Sequence, residues 1–430
     1  MKKSYIYDMK YVYDCHLHLL PLNHICLSAY LDYSFQNTMS ETYAQLTAHD
    51  YVMSGILHKQ GDVQGLVAVV EHSIKDQIAL YEGDLRGDFL HPSCDEKGEK
   101  NEKNSLKPIL DEKGIHICST DYDKLVLCAQ IMDFDLKSSE NAYYPSPKHD
   151  IVKHANEILD GINQFKNENP NSKVEVLPFF GINPLNYEED YIAQVLENCF
   201  ATEKEKPEKF HLSEKFHLNT KSSAKTKFAG IKLYPPMGFD PFPSDKTLMA
   251  KNEILFDFCE KNAIPIVTHC DDQGFRMVPL NYSFEYTSPE RWLKVLEKHP
   301  NLYLDFAHFG TQYYHGMIEK LKHHELSWRD MILFAMKEYP HVYSDLSFGG
   351  VDTDMWEEVT SVVQKARDEE KEIYSKRLLY GTDWPLSLSK IQSVLAYWTG
   401  FENGFSSAAT TELADRILSK NPETFLHQEI

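Results

Sequence analysis

Short apolar runs alternate along this chain with stretches of helical periodicity. The runs are rich in β-branched and aromatic residues and read as strands over Tyr11–Leu20, Lys124–Phe134, Val174–Ile182, Phe228–Tyr234, Ile264–Cys270, Leu302–Phe309, Val342–Phe348 and Leu378–Asp383. Between them, apolar residues recur at helical spacing over Ile151–Phe165, Asp190–Phe200, Lys246–Asn262, Pro289–His299, Trp328–Tyr339 and Asp354–Tyr374. Ser288-Pro289-Glu290 supplies a helix start: a capping hydroxyl, a first-turn proline and an acid. Such alternation implies parallel strands joined by crossover helices. Eight units point to a (β/α)8 TIM barrel; a doubly wound open sheet is the alternative.

The pattern predicts one elaborated barrel over residues 1–430 with two insertions. Residues 21–123 separate the first strand from the second. They follow a strand, so in a barrel they lie on the face that carries active sites, as a lid or substrate wall. Gly65–Val70 within them is helix or strand, and Ser93–Asn104 reads as an exposed loop. Residues 202–227 form a charged surface insertion before the fourth strand, with the near-duplicated segments 208–212 and 214–218.

The polar residues at strand ends carry the chemistry. In Asp14-Cys15-His16-Leu17-His18, strand alternation puts Asp14, His16 and His18 on one face. Two imidazoles so placed can reach one metal ion and suit half of a zinc-type site. Further on come Lys232 in Gly-Ile-Lys-Leu-Tyr, His269 closing Val-Thr-His, His308 in Ala-His-Phe-Gly, and Asp383 in Gly-Thr-Asp-Trp-Pro. All fall toward the C-terminal ends of their runs, where barrel enzymes keep their catalytic groups. Taken singly, each histidine could be an interior side chain satisfied by hydrogen bonds, and Asp383 could cap a turn. Asp305 and Asp345 read as structural or supporting acids, Asp271-Asp272 as a solvated loop, and Trp384 and Tyr234 as packing residues. His24, His58 and His72 could reach the site from the first insertion, and Cys270 is no nucleophile.

In this order the motifs resemble the amidohydrolase superfamily, and within it the amidohydrolase-related metal-dependent TIM-barrel hydrolases. The resemblance implies a divalent metal, zinc, held by His16, His18, His269 and Asp383, with His308 facing the substrate. Such an ion lowers the pKa of a bound water toward ~7, Asp383 moves its proton, and His308 stabilises the developing oxyanion. The expected reaction is hydrolysis of a C–N or C–O bond in a small molecule. The resemblance also covers decarboxylases of aromatic or unsaturated acids, and an inert barrel acting as a binding protein is a third reading. One ion is favoured, with Lys232 anchoring a substrate carboxylate. Two ions would instead require a carbamylated Lys232, with His269 and His308 on the second.

Composition narrows the partners. A net charge of −21 over 430 residues argues against nucleic acid and anionic membranes. No apolar run is long enough to span a bilayer, and the first residues lack the apolar segment of a signal peptide. The 8 cysteines show no CxxC pairing, which fits a reducing cytoplasm. A small-molecule, carboxylated substrate and a homo-oligomer complete the expectations.

Overall fold

The computed structural model describes residues 9–21, 24, 63–89, 106–134, 151–200, 227–274, 276–313 and 327–426. The Ser93–Asn104 loop, His58 and all but the last residue of the 202–227 insertion lie outside these.

Parallel strands form one eight-stranded sheet. In chain order they are β1 (Tyr11–Leu17), β4 (Lys124–Gln130), β5 (Val174–Gly181), β6 (Gly230–Leu233), β7 (Ile266–Thr268), β8 (Leu304–Phe306), β9 (Val342–Asp345) and β10 (Leu378–Leu379). Between β1 and β4, Ile115–Ile117 (β2) and Thr120–Tyr122 (β3) make a small antiparallel hairpin that the apolar pattern did not predict. Spatial order equals chain order, and the two ends meet. Leu17 bridges Trp384 in parallel, Cys15 N–H donates to Tyr380 O at 2.8 Å, and Asp383 N–H donates to His16 O at 2.7 Å. A closed barrel leaves no edge strand, and the open-sheet alternative falls.

The helices follow the predicted spacing, and their caps explain where they start. Ser288 accepts Glu290 N–H at 3.3 Å before Pro289, and Asp245 accepts Thr247 N–H at 2.8 Å. The stretch Asp354–Tyr374 divides into Asp354–Lys365 and Asp368–Ser375, because Ala366 and Arg367 are extended. Part of the first insertion is barrel framework. Val63–Val70 is helical, and Ile74–Arg86 packs against its neighbours Ile151–Glu168 and Val394–Gly404. Ile74–Arg86 is thus the crossover helix that parallel pairing of β1 with β4 demands. Trp292, Trp356, Trp384 and Trp398 are among the largest fully buried side chains. Among the described residues, no helix is long and apolar enough to cross a membrane.

The strands are shorter than the apolar runs, and the shortening exposes the chemistry. His18, His269, His308 and Asp383 all lie just past the end of a strand. His308 (φ 64°) and Asp383 (φ 55°) occupy left-handed backbone, which a ladder cannot accommodate. β1 also carries a register shift between Asp14 and Leu17. Simple alternation therefore fails there, and Asp14 does not stand with the two histidines.

Candidate metal centre

His16 and His18 are both buried, and their ring nitrogens have separate duties. His16 Nδ1 lies 2.6 Å from Asp345 Oδ2, and His18 Nδ1 lies 2.9 Å from the carbonyl of Gln130. Both partners are acceptors, so each imidazole carries its proton on Nδ1 and has a bare Nε2. His18 Nε2 is 3.3 Å and His16 Nε2 3.7 Å from Asp383 Oδ1. That oxygen is buried and has no hydrogen-bond partner. Three lone-pair donors thus converge, and among the described residues only Lys232 Nζ, 3.1 Å from His16 Nε2, brings a proton to one of them. Metal–nitrogen bonds of ~2.0–2.1 Å in tetrahedral geometry place ligand atoms about 3.3 Å apart, so the donor set fits a divalent ion.

The charges agree with this. Burial, helped by the neighbouring Lys232, lowers His16 to about 3, so it is neutral at pH 7. Burial alone would raise the Asp383 carboxyl, but the neighbouring His18, His16 and His308, whenever one of them carries an extra proton, bring it below its ordinary value, so the carboxylate is ionised. Neutral imidazoles with one carboxylate are the ligands a zinc-like ion selects.

A second donor pair stands beside the first. His308 Nε2 lies 3.0 Å from His269 Nδ1. His308 Nδ1 faces the Ser347 hydroxyl at 2.9 Å and the Ser347 carbonyl at 3.2 Å. His269 Nε2 faces the Gln273 carbonyl at 3.2 Å and Asp271 Oδ1 at 3.1 Å. With the outer nitrogens committed as donors, two lone pairs meet at hydrogen-bond distance. They repel unless a shared proton or a metal cation stands between them. Burial opposes ionisation of Asp271, but the imidazoles of His269 and His308 pull it down to about 2.

Lys232, within β6, is 2% exposed. Its Nζ lies 3.1 Å from His16 Nε2. Burial pulls the ammonium down to about 8, against the opposing effect of the Asp345, Asp383, Asp305 and Asp271 carboxylates.

The predicted residues therefore gather into two sets. His16, His18 and Asp383 form one, and His269 joins His308 and Asp271 in the other. Asp14 accepts from Tyr81 Oη at 2.7 Å, Thr382 N–H at 3.0 Å and His16 N–H at 3.2 Å, and so ties β1 to the turn that carries Asp383. His24 turns away to Glu157 (2.9 Å) and stacks on His154, while His72 is exposed. Burial raises the Cys270 thiol well above its usual range, so it is no nucleophile.

Sequence reasoning undervalued three residues. Asp345 and Asp271 are buried partners of the histidines, and Ser347 touches two of them. For Ser347 the signal was its place two residues after Asp345, on the same strand run. The ring of Tyr234 lies 4.7 Å from that of His269. Gly274 (φ 95°) presses against both, and a side chain there would collide with Tyr234 Oη.

Solved structures similar to the chain include a probable 2-pyrone-4,6-dicarboxylic acid hydrolase from Acinetobacter baumannii, 11% identical, covering 71% of this chain and 84% of that one with a TM-score of 0.38. A dihydroorotase from Saccharomyces cerevisiae is 13% identical over 75% and 79% of the two chains, with a TM-score of 0.35. A uronate isomerase from Bacillus halodurans is 11% identical over 98% and 94%, with a TM-score of 0.40. No curated protein matches the chain. The model of the amidohydrolase family matches residues 206–428, more than half of the sequence, including Lys232, His269, His308 and Asp383. The chain belongs to the amidohydrolase family.

Proposed function

We propose that the protein is a metal-dependent hydrolase of a C–N or C–O bond in a small molecule. The observation that carries this reading is the convergence of His16 Nε2, His18 Nε2 and Asp383 Oδ1 with their other nitrogens tied off. A divalent ion held there, zinc by the ligand chemistry, supplies Lewis acidity that polarises a scissile carbonyl and acidifies water.

The side chains do the rest. The Asp383 carboxylate, one oxygen of which faces the histidines, can take a proton from the attacking water and return it to the leaving group. Lys232 offers a buried cation to a substrate carboxylate. Gln77 of the Ile74–Arg86 helix grips both backbone groups of Leu20 at 3.1 Å, just past His18. The Ile74–Arg86 helix, within the 21–123 segment, thus stands behind the chain that follows His18, which supports reading the described part of that segment as a wall of the site.

A second reading rests on the facing lone pairs of His269 and His308, which would hold a second ion. An ammonium beside two ions is repelled, so Lys232 would then carry an anion. Its titration near 8 leaves a neutral amine fraction able to add to carbon dioxide as a carbamate with loss of a proton.

Elemental analysis of purified, metal-supplemented protein tests the proposal. One ion per chain supports the first reading and two the second. No uptake and no activation by metal would leave only the inert-barrel reading. Carbon dioxide release from carboxylated aromatics without hydrolysis would assign lyase chemistry instead.

A further inference from the structure

We infer that Ser347, together with Asp345, is a positioning residue that sets the proton position of one histidine in each donor set, His16 and His308, through one hydroxyl. The inference rests on the metal-site reading above and adds a residue to it. A serine hydroxyl has one proton and two lone pairs. Ser347 Oγ gives its proton to Asp345 Oδ1. His308 Nδ1 then stands 2.9 Å and His16 Nδ1 3.1 Å from the same oxygen. With its proton committed, that oxygen can only accept, so both imidazoles must present Nδ1–H. Both Nε2 atoms are left as lone pairs, one in each donor set, with Lys232 Nζ 3.1 Å from that of His16 and His269 Nδ1 3.0 Å from that of His308.

Asp345 enforces the direction. Its Oδ2 accepts His16 Nδ1–H at 2.6 Å. Its Oδ1 accepts the backbone N–H groups of Ser347 at 3.0 Å and His308 at 3.1 Å, besides the Ser347 hydroxyl. A carboxylate holding these donors has no proton to give, so the hydroxyl cannot reverse its orientation. Ser347 and Asp345 are fully buried, so no solvent competes. The rings of His16 and His308 lie 4.9 Å apart, joined through this one group.

The two sets do not depend on Ser347 equally. Without the hydroxyl, His16 Nδ1 keeps Asp345 Oδ2, whereas His308 Nδ1 keeps only the Ser347 carbonyl at 3.2 Å. Ser347→Ala should therefore loosen His308 more than His16.

Zinc titration of the metal-free protein against a competing chelator, with wild type, Ser347→Ala and Ser347→Cys, gives the first readout. Histidine-15N NMR of the metal-free proteins gives the second, with His16 and His308 assigned from single-histidine variants. The expected result is a fall in zinc affinity of about 10- to 100-fold in Ser347→Ala, a smaller fall in Ser347→Cys, and loss of the pure Nδ1–H form at His308. Unchanged affinity and unchanged tautomers, with only a lower melting temperature, would reduce Ser347 to packing and overturn the inference. Wild type that takes up no zinc would overturn the metal reading instead. In that case the tautomer spectra alone would decide: a shift at His308 supports the role of Ser347, and no shift refutes it.

Discussion

Two groups of histidine and carboxylate in this molecule look alike by distance and differ in who holds the protons. His16, His18 and Asp383 at the barrel mouth, and Glu253, Asp257 and His299 on the outside, each bring ligand atoms within 4.8 Å of one another. Outside, His299 Nε2 meets Glu253 Oε2 at 3.0 Å and His299 Nδ1 meets Glu260 Oε2 at 3.2 Å. Lys298 Nζ and Asn301 N–H, each at 2.8 Å, bind the remaining oxygens of those acids. The oxygens of Glu253 and Glu260 have their donors, and Asp257 stands exposed 3.8 Å from His299 Nδ1, so the group is an ion-pair network. At the mouth the donors are turned outward to Asp345 and Gln130, and lone pairs are turned inward. Proximity does not distinguish a ligand set from a salt bridge; the placement of N–H groups does.

The largest effect should come from removing the inward lone pairs. His16→Asn with His18→Asn is expected to abolish metal uptake and to lower turnover by about 10^3-fold or more, given the several kcal/mol a Lewis acid supplies. Metal analysis and steady-state rates check this, and retained uptake would erase the contrast between the two groups.

Next comes Gly381→Ala, which keeps every ligand but wedges the mouth. A Cβ there would lie 2.8 Å from His16 Cβ and 2.9 Å from Ser347 Cβ. Overpacking of this kind costs about 1–3 kcal/mol, read as a lower melting temperature, and zinc affinity should fall with it. Normal affinity in a destabilised variant would show that the donor set tolerates displacement.

The contrast between the groups was only half legible in the sequence. The barrel was readable because its strands fall in apolar runs and the stretches between the later ones carry helical periodicity, although the crossover helix Ile74–Arg86 was not read, and the ligand candidates because histidine at the end of such a run is conspicuous. Proton placement was not readable. It depends on Asp345, Ser347 and the Gln130 carbonyl, which reach His16, His18 and His308 only after closure brings β9 and β4 beside β1 and β8. The register shift in β1 was hidden for the same reason: it comes from pairing, and residue type carries no trace of it. The hairpin β2–β3 is two strands of three residues, too short for a period to show.

Smaller effects test carboxylates outside the mouth. Asp84, on the Ile74–Arg86 helix, accepts Val394 N–H at 2.7 Å, and burial raises it from 3.8 to about 6. A raised carboxyl binds its proton more tightly in the folded chain, so its contribution is complete below pH ~4 and is lost as pH rises through ~6. Asp84→Asn should flatten that slope in melting temperature against pH, by at most about 1–2 kcal/mol after allowance for partial exposure. An unchanged slope would place the titration elsewhere. The least effect is expected outside, where Glu253→Gln with Asp257→Asn should leave metal content unchanged and stability within about 1 kcal/mol.

Anomalous diffraction at the zinc absorption edge, from crystals grown with zinc, tests the central claim most directly. The account predicts a peak bounded by His16 Nε2, His18 Nε2 and Asp383 Oδ1, with none at His299. A peak among Glu253, Asp257 and His299 with the mouth empty would contradict it.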